Sequence, residues 1–471
     1  MRICGVLRVT AIALGLGACA TIHNLPLNTP TATPLLVTPM QAAARLASEE
    51  RTHGGNSDAV IGLAFSGGGT RAAAFAYGVL EELAHTPSRN RNRRGDLLDH
   101  VGIISGVSGG SIMAAYYGLK GRAALADFRQ EFLTQDLMAE LNTNVTLINL
   151  GRALGGGVNT DTRLRDWFNA HLFHDATFDA LIARPRPIVL INATNVYSRT
   201  PFVFVPQSFA AACSDITKYP LAAGVAASAA VPAAFAPVVI ESFPGECHAP
   251  LPAWVVKAAK DPAESPMVQD YAKSLEQIRN GKVKYIKLLD GGMIDNYGLS
   301  GMTIVRAAAS TPYGPMRPEE AVNLRRLLFV IVDAGQGPTG NWSQTLEGPT
   351  GKELIGAMVG VLIEANSNAS YTAFQETMRN WHNAIVRWRC RLKSAEVARL
   401  RRGRTGHWSC RDLKITVARI AFDQLDPARA TRLSKVPTSF TLPAATVDEL
   451  TQAGGDALKA NPAFQKFLKE M

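Results

Sequence analysis

The motif GVSGG at residues 106–110 places Ser108 within a glycine-rich turn. The apolar run at 101–104 predicts a short buried strand before it, and residues 111–117 predict a helix after it. A serine in a G-x-S-x-G sequence at a strand-to-helix turn is typical of a nucleophile elbow, which exposes the hydroxyl. The start of the helix would direct free N–H groups at the same point, which favours an oxyanion. The alternative is a glycine-rich turn with an incidental serine.

A second glycine-rich segment, SGGGTR at residues 66–71, follows an apolar run at 59–65 that predicts a buried strand. Its glycines leave backbone N–H groups uncovered at a helix start, an arrangement that binds anions. A dinucleotide-binding fingerprint would need an acidic residue about 20 residues further on, where this chain has a basic loop. A phosphate-binding P-loop would need Gly-Lys-Ser/Thr, which is absent. The third interpretation is an oxyanion hole one strand–helix unit before Ser108.

Asp290 follows a third predicted strand, at 283–289, and precedes Gly291 and Gly292. Open α/β sheets place their functional groups at the C-terminal ends of strands. The position therefore indicates a functional carboxylate. The alternative is an ordinary Asp-Gly turn, which by itself is the commoner case.

Together these motifs resemble those of the patatin-like phospholipase family. The resemblance covers residues 59–336, and the motifs occur in the family's order, with GGGTR at 67–71, GVSGG at 106–110 and DGG at 290–292. Weaker similarities are NAT at 192–194 and AASAAVP at 226–232. The family usually has glycine after the arginine of the first motif, whereas this chain has Ala72, which adds one methyl group.

The resemblance implies a three-layer α/β/α fold with a central, mostly parallel sheet, and a catalytic Ser108–Asp290 dyad. Ser108 would attack an ester carbonyl and Asp290 would take its proton, so that no histidine is needed. A conventional hydrolase triad would place a histidine after the acid. The candidates for that alternative are His382 and His407.

The resemblance also assigns the first glycine-rich loop to the oxyanion. Backbone N–H groups of Gly67, Gly68 and Gly69 would hold the tetrahedral oxyanion. Arg71 would orient this loop or compensate charge, and a surface ion pair is the alternative role for Arg71.

The implied activity is that of a serine lipid acyl hydrolase acting on phospholipids or lysophospholipids. A non-catalytic lipid-binding or scaffold lipoprotein on the same fold is the alternative, and the presence of both Ser108 and Asp290 argues against it. The formal charge of +10 favours an anionic partner surface. Because no RNA- or DNA-binding motif occurs, we expect that surface to be a membrane and not nucleic acid.

Residues 1–18 are typical of an export signal, since Arg2 and Arg8 precede an apolar segment that is too short to span a bilayer. The sequence LGAC at 16–19 resembles the bacterial lipobox, in which the chain is cut before a cysteine that is then acylated. We therefore predict a lipid anchor at Cys19 and a location in a bacterial cell envelope, on the outer membrane. Gly17 is less usual in such a motif, so ordinary cleavage and a periplasmic or secreted protein remain the alternative.

The rest of the chain divides into three predicted parts. Residues 19–57, rich in proline and threonine, predict an unpacked tether with a root-mean-square reach of roughly 35 Å. Residues 58–345 form the predicted catalytic domain, with a polar insertion or lid at 249–282. Residues 346–471 form a predicted α+β extension, either a separate domain or extra layers on the first.

Four cysteines remain once Cys4 leaves with the signal and Cys19 is assigned to the lipid. An even number in an exported chain indicates disulfides, and the sequence-local pairing is Cys213–Cys247 with Cys390–Cys410. A zinc site is disfavoured because the spacing of zinc ligands is absent. We therefore expect neither a metal nor a cofactor.

The segment between Cys390 and Cys410 contains six basic residues and one acidic residue, and Trp388 and Trp408 stand beside the cysteines. Tryptophan favours the membrane interface and arginine pairs with phosphate, which predicts a docking loop for an anionic membrane. A solvated basic hairpin with its tryptophans packed in the core is the alternative. A binding site for an acidic protein partner is a third interpretation.

Overall fold

An eight-stranded sheet forms the centre of the computed structural model, which describes residues 24–36, 58–88, 95–141, 161–184, 187–232, 234–338, 340, 342–346, 348–402 and 407–471. The strand order is β5-β6-β3-β2-β1-β7-β8, with β4 paired to β3. The strands are β1 (Ala59–Phe65), β2 (Val101–Val107), β3 (Ile188–Asn195), β4 (Thr200–Val203), β5 (Val238–Glu241), β6 (Tyr285–Asp290), β7 (Arg326–Asp333) and β8 (Lys414–Ala421).

The five strands β3, β2, β1, β7 and β8 run parallel, while β4 and β6 pair antiparallel to β3 and β5 pairs antiparallel to β6. Strand β1 is buried along nearly its whole length, as a parallel strand covered on both faces should be. Helices cover both sides of the sheet. The predicted three-layer α/β/α fold with a mostly parallel sheet is therefore confirmed.

The helices vary from single turns to one of 39 residues. No described helix is long and apolar enough to cross a membrane. The helices are α1 (Gly69–His85), α2 (Gly109–Lys120), α3 (Ala124–Phe128), α4 (Leu137–Leu141), α5 (Asp161–Phe168), α6 (Phe178–Ile182), α7 (Pro206–Ala211), α8 (Leu221–Ser228), α9 (Ala253–Ala258), α10 (Pro266–Arg279), α11 (Gly292–Asp295), α12 (Leu299–Ala307), α13 (Pro318–Asn323), α14 (Gly351–Arg389), α15 (Ser394–Leu400), α16 (Pro427–Ser434), α17 (Ala444–Ala460) and α18 (Pro462–Glu470).

The C-terminal extension continues the layers of the first part of the chain. Strand β8 adds a parallel edge to β7 over eight paired residues. Helix α17 crosses α1 so closely that a Cβ on Gly78 would lie 1.8 Å from the carbonyl oxygen of Thr451, and one on Gly454 would lie 2.1 Å from that of Phe75. Backbones can approach this closely only where side chains are absent. Residues 346–471 thus brace the helix that follows the first glycine-rich loop.

The described part of the predicted tether, residues 24–36, is docked on the sheet edge. The Asn28 side chain donates to the Glu241 carbonyl at 2.8 Å and accepts from the Glu241 N–H at 2.9 Å. Asn24 donates to the carbonyl oxygens of Ala236 at 3.1 Å and Pro237 at 2.8 Å. The expectation that this proline-rich stretch is unpacked is therefore wrong for residues 24–36. Hydrogen bonds from buried asparagine side chains, and not apolar contacts, attach the segment to the domain. The predicted signal and Cys19 lie outside the described residues.

Both predicted disulfides are present, with Cys213–Cys247 closing a separation of 34 residues and Cys390–Cys410 one of 20. A disulfide that closes a loop of about this length stabilises a fold by about 3 to 4 kcal/mol in the chain-entropy model.

The tryptophans beside the second disulfide pack against protein. The Trp388 ring lies 4.3 Å from the Tyr313 ring, and Trp408 Nε1 donates to the Val322 carbonyl at 2.9 Å. Arg389 is fully buried and ion-paired with Asp412. Both tryptophans are half-buried against protein, as the packed-tryptophan alternative expects, and membrane docking by the basic loop stays a prediction. Residues 403–406 of the basic loop lie outside the described part.

Candidate active site

Ser108 occupies a sharp turn between the end of β2 and the start of α2. Its backbone angles are φ 51° and ψ −124°, a left-handed conformation that is rare for a side-chain-bearing residue and tends to occur at functional sites. The turn also touches the first glycine-rich loop, because a Cβ on Gly109 would lie 1.9 Å from the Gly69 carbonyl oxygen. The absence of a side chain at Gly109 therefore lets the two loops lie directly against each other.

The structure brings Asp290 to Ser108 from across one intervening strand. Asp290 ends β6, β2 leads into Ser108, and β3 lies between them. The Ser108 hydroxyl lies close enough to the Asp290 carboxylate to lower its pKa, and Gly292 N–H donates to Asp290 Oδ1 at 2.8 Å. Burial raises the pKa of Asp290 to about 6, although the Gly292 N–H and the Ser108 hydroxyl both act to lower it. The pair combines a nucleophile with a carboxylate whose proton affinity suits a general base near neutral pH.

Two further polar residues hold the elbow in place, and their catalytic context was not recognised in the sequence. Ser228 Oγ accepts from the Ser108 N–H at 2.9 Å and donates to the Asn192 carbonyl at 2.6 Å. Asn192 Nδ2 donates to Ser105 Oγ at 2.8 Å and to the Gly106 carbonyl at 2.9 Å. Both residues lie in the weaker motifs at 192–194 and 226–232, which are the sequence features that could have identified them.

The three glycines of the first loop differ in whether their N–H groups are already hydrogen-bonded. Gly67 N–H donates to the Asn296 carbonyl at 3.0 Å, so this predicted oxyanion donor is already engaged. Within the described residues, no hydrogen bond takes up the N–H of Gly68 or Gly69. Gly109 was not predicted as a donor, yet its N–H begins α2 directly after Ser108, where hydrolases of this type place one.

A model of the patatin-like phospholipase family matches residues 63–302, which are 240 of the 471 residues. The chain belongs to the patatin-like phospholipase family. No curated protein sequence matches it. Among solved structures, human GIVD cytosolic phospholipase A2 is similar with a TM-score of 0.42 and 13% identity, over 96% of this chain and 69% of that chain. The patatin-like domain supports lipid acyl hydrolase activity.

Arg71 of this patatin-like domain points away from Ser108. Its Nε donates to the Ala334 carbonyl at 2.8 Å, and its terminal nitrogens donate to the Val436 carbonyl and, at 3.2 Å, to Thr438 Oγ1. Burial lowers the pKa of Arg71 to about 10, with Asp333 acting in the opposite direction. Arg71 is neither an oxyanion ligand nor a surface ion pair in this structure. It orients the glycine loop by fastening it to the C-terminal segment, which also accepts the Thr70 N–H on the Ser439 carbonyl at 2.8 Å.

Replacing Arg71 by leucine is expected to lower the free energy of unfolding by about 2 to 4 kcal/mol, because one buried and two partly buried hydrogen bonds from a charged donor are lost. Turnover should fall in parallel as the glycine loop loosens. Denaturant unfolding and ester hydrolysis measure the two effects. Arg122→Leu, which removes an exposed ion pair with Asp96 and Asp99, is the control and should change little. Lost activity with unchanged stability would contradict the orienting role.

The histidines proposed for a conventional triad lie near the N-terminal ends of the parallel strands, at the end of the sheet opposite Ser108. His382 Nε2 bonds to the Leu413 carbonyl at 3.0 Å, just before β8 begins, and the His407 carbonyl accepts from Arg325, just before β7 begins. The parallel strands β2, β7 and β8 all begin at one end of the sheet, whereas Ser108 follows the C-terminal end of β2 at the other. In the part of the chain that the structure describes, no histidine hydrogen-bonds to Ser108 or Asp290, and no cluster of metal-ligating side chains occurs.

Proposed function

We propose that this protein is a serine lipid acyl hydrolase that cleaves fatty-acyl esters of membrane lipids, phospholipids or lysophospholipids, with a Ser108–Asp290 dyad. The observation that carries the proposal is the position of Ser108, in a strained turn, beside the buried Asp290 carboxylate, whose pKa burial raises to about 6. Membership of the patatin-like phospholipase family supports a lipid ester as the substrate.

The first half of the reaction forms an acyl-enzyme. Ser108 Oγ bonds to the ester carbonyl carbon while its proton passes to Asp290, and the carbonyl oxygen becomes an oxyanion. The N–H groups of Gly68, Gly69 and Gly109 stabilise this charge at the start of two helices. Collapse of the intermediate breaks the bond to the alcohol, which leaves with the proton from Asp290.

The second half of the reaction releases the fatty acid. Water adds to the acyl carbon as Asp290 takes a proton from it, and the bond to Ser108 Oγ then breaks as Asp290 returns the proton to the serine. One carboxylate serves both halves because its raised pKa lets it accept and donate the proton near neutral pH.

A fluorophosphonate probe tests this proposal directly, because it phosphonylates an activated serine and loses fluoride. We expect stoichiometric labelling of the intact protein and none in Ser108→Ala. The probe adduct should map to the peptide containing residues 106–110. An unlabelled wild-type protein would favour the non-catalytic lipid-binding or scaffold lipoprotein instead.

We further propose that Cys19 is acylated and anchors the protein to a bacterial envelope membrane. The docked segment supports a short connection, because the five residues from Cys19 to Asn24 span at most about 18 Å. Continuing the β5–β6 register by two residues places Ala236, the partner of Asn24, level with Asp290. An anchor at Cys19 would therefore hold the end of the sheet that carries Ser108 and Asp290 close to the lipid surface.

The anchor predicts a mature chain that begins at Cys19 and carries acyl groups. Intact-mass spectrometry of protein purified from membranes measures this, and Cys19→Ala serves as the control that should lack the added mass. An unmodified N-terminus beyond Cys19 would contradict the anchor and favour a periplasmic or secreted protein.

A further inference from the structure

The first third of α14 carries exposed apolar side chains. The ten residues 354–363 contain no polar side chain. Five large side chains of this segment remain open to water in the structure: Leu354 49%, Met358 59%, Val359 50%, Val361 66% and Leu362 61% exposed. A patch of this kind on a water-soluble surface marks an interaction site.

The opposite face of the same segment is also uncovered. A Cβ on Gly356 or Gly360 would meet no atom within 4 Å. An ordinary surface helix has one apolar face and one polar face, whereas a helix apolar on all faces belongs in a core or in lipid. A docking protein would cover one face and leave the other apolar face in water, but acyl chains would surround both.

The apolar face continues to the lip of the candidate active site. Asn366 Nδ2 donates to the Met293 carbonyl at 2.9 Å, and Met293 lies three residues after Asp290 with 37% of its surface exposed. Leu362 and Val359 precede Asn366 by four and seven residues, so they lie on the same helix face. A surface that contacts this face therefore reaches the edge of the site.

We propose that residues 354–363 are a docking helix that embeds in one leaflet of a phospholipid bilayer and brings the Ser108–Asp290 site to its substrate; this rests on the proposed function. Ten helical residues extend about 15 Å, and Glu353 and Glu364 flank them, so the segment fits one leaflet with its axis along the surface, where both charged ends reach the headgroups. The segment can therefore enter a single leaflet. Contact through apolar side chains should persist at high salt, unlike docking through the basic loop.

Hydrogen–deuterium exchange of the full-length protein gives a local test that an anchor at Cys19 does not mask. Vesicles of phosphatidylcholine should slow exchange in peptides covering residues 351–365, in low and high salt alike. Peptides from α10 are the internal control and should not change. Protection that rises with protein concentration without vesicles would instead identify a second copy of the chain, packed through Gly356 and Gly360, and would overturn the proposal.

A matched pair of variants tests the functional consequence. Val361→Gln/Leu362→Gln should reduce phospholipid hydrolysis in vesicles by at least about tenfold, since two apolar side chains lose their burial in lipid. Val256→Gln/Tyr285→Gln alters two residues outside α14, 40% and 43% exposed, and should leave that rate unchanged. Both variants should hydrolyse a water-soluble short-chain ester at the wild-type rate.

The outcomes separate this proposal from the proposed function. If Ser108→Ala shows the same vesicle-dependent protection at 351–365 while wild-type protein hydrolyses no ester, the docking helix stands and the enzyme assignment fails. If vesicles leave exchange at 351–365 unchanged, or if the two double variants hydrolyse vesicle lipid equally, the docking helix is wrong whatever the activity.

Discussion

Ser108→Ala is expected to lower the rate of ester hydrolysis about a millionfold, because the hydroxyl that forms the acyl-enzyme is removed. The backbone turn should survive, since the Ser108 N–H bond to Ser228 and the contact between Gly109 and Gly69 do not involve the hydroxyl. Steady-state hydrolysis of a short-chain ester measures the loss, and circular dichroism confirms that the fold is retained.

Histidine variants provide the control for the dyad. His382→Ala and His407→Ala should keep nearly full activity, because both residues lie near the N-terminal ends of the parallel strands, at the end of the sheet opposite Ser108. A folded histidine variant that loses activity would contradict the dyad and restore a triad. Substantial residual activity in Ser108→Ala would refute the assignment of the nucleophile.

Asp290→Asn should reduce kcat about 10²- to 10⁴-fold, the usual contribution of a positioned general base. An amide keeps the size of the side chain and its acceptor for Gly292 N–H, but it cannot take the serine proton. In the wild-type protein, log kcat/KM should rise with pH and level off above an apparent pKa of about 6, where the carboxylate is ionised. A profile flat from pH 5 to 8 would exclude Asp290 as the base.

The same variant should gain stability, with a pH dependence of defined sign. The pKa of Asp290 is raised on folding, so the folded protein holds its proton more tightly than the unfolded chain between the ordinary carboxyl range and about pH 6. Stability is therefore lost as pH rises through that window. Above pH 6, the free energy of unfolding of Asp290→Asn should exceed that of the wild-type protein by about 1 to 3 kcal/mol, and this difference should vanish near pH 4. Denaturant titration at both pH values measures it.

The sequence by itself determined which three short motifs are candidates for the site, because the constraints on each turn are local. A serine flanked by glycines can form a sharp strand-to-helix turn whatever surrounds it, and the apolar runs at 59–65 and 101–104 already indicate strands buried on both faces. Cysteine count and spacing likewise led to the disulfide pairing that the structure contains.

Tertiary structure alone decided which groups meet and which are already engaged. Ser108 and Asp290 are 182 residues apart, and only the antiparallel pairing of β6 with β3 brings them together in a buried environment that raises the carboxylate pKa. Gly67 looks equivalent to its neighbours in sequence, yet its N–H is used by Asn296. Whether a long apolar helix is buried or exposed also depends on residues distant in the chain, which is why the open face at 354–363 emerged only from the fold.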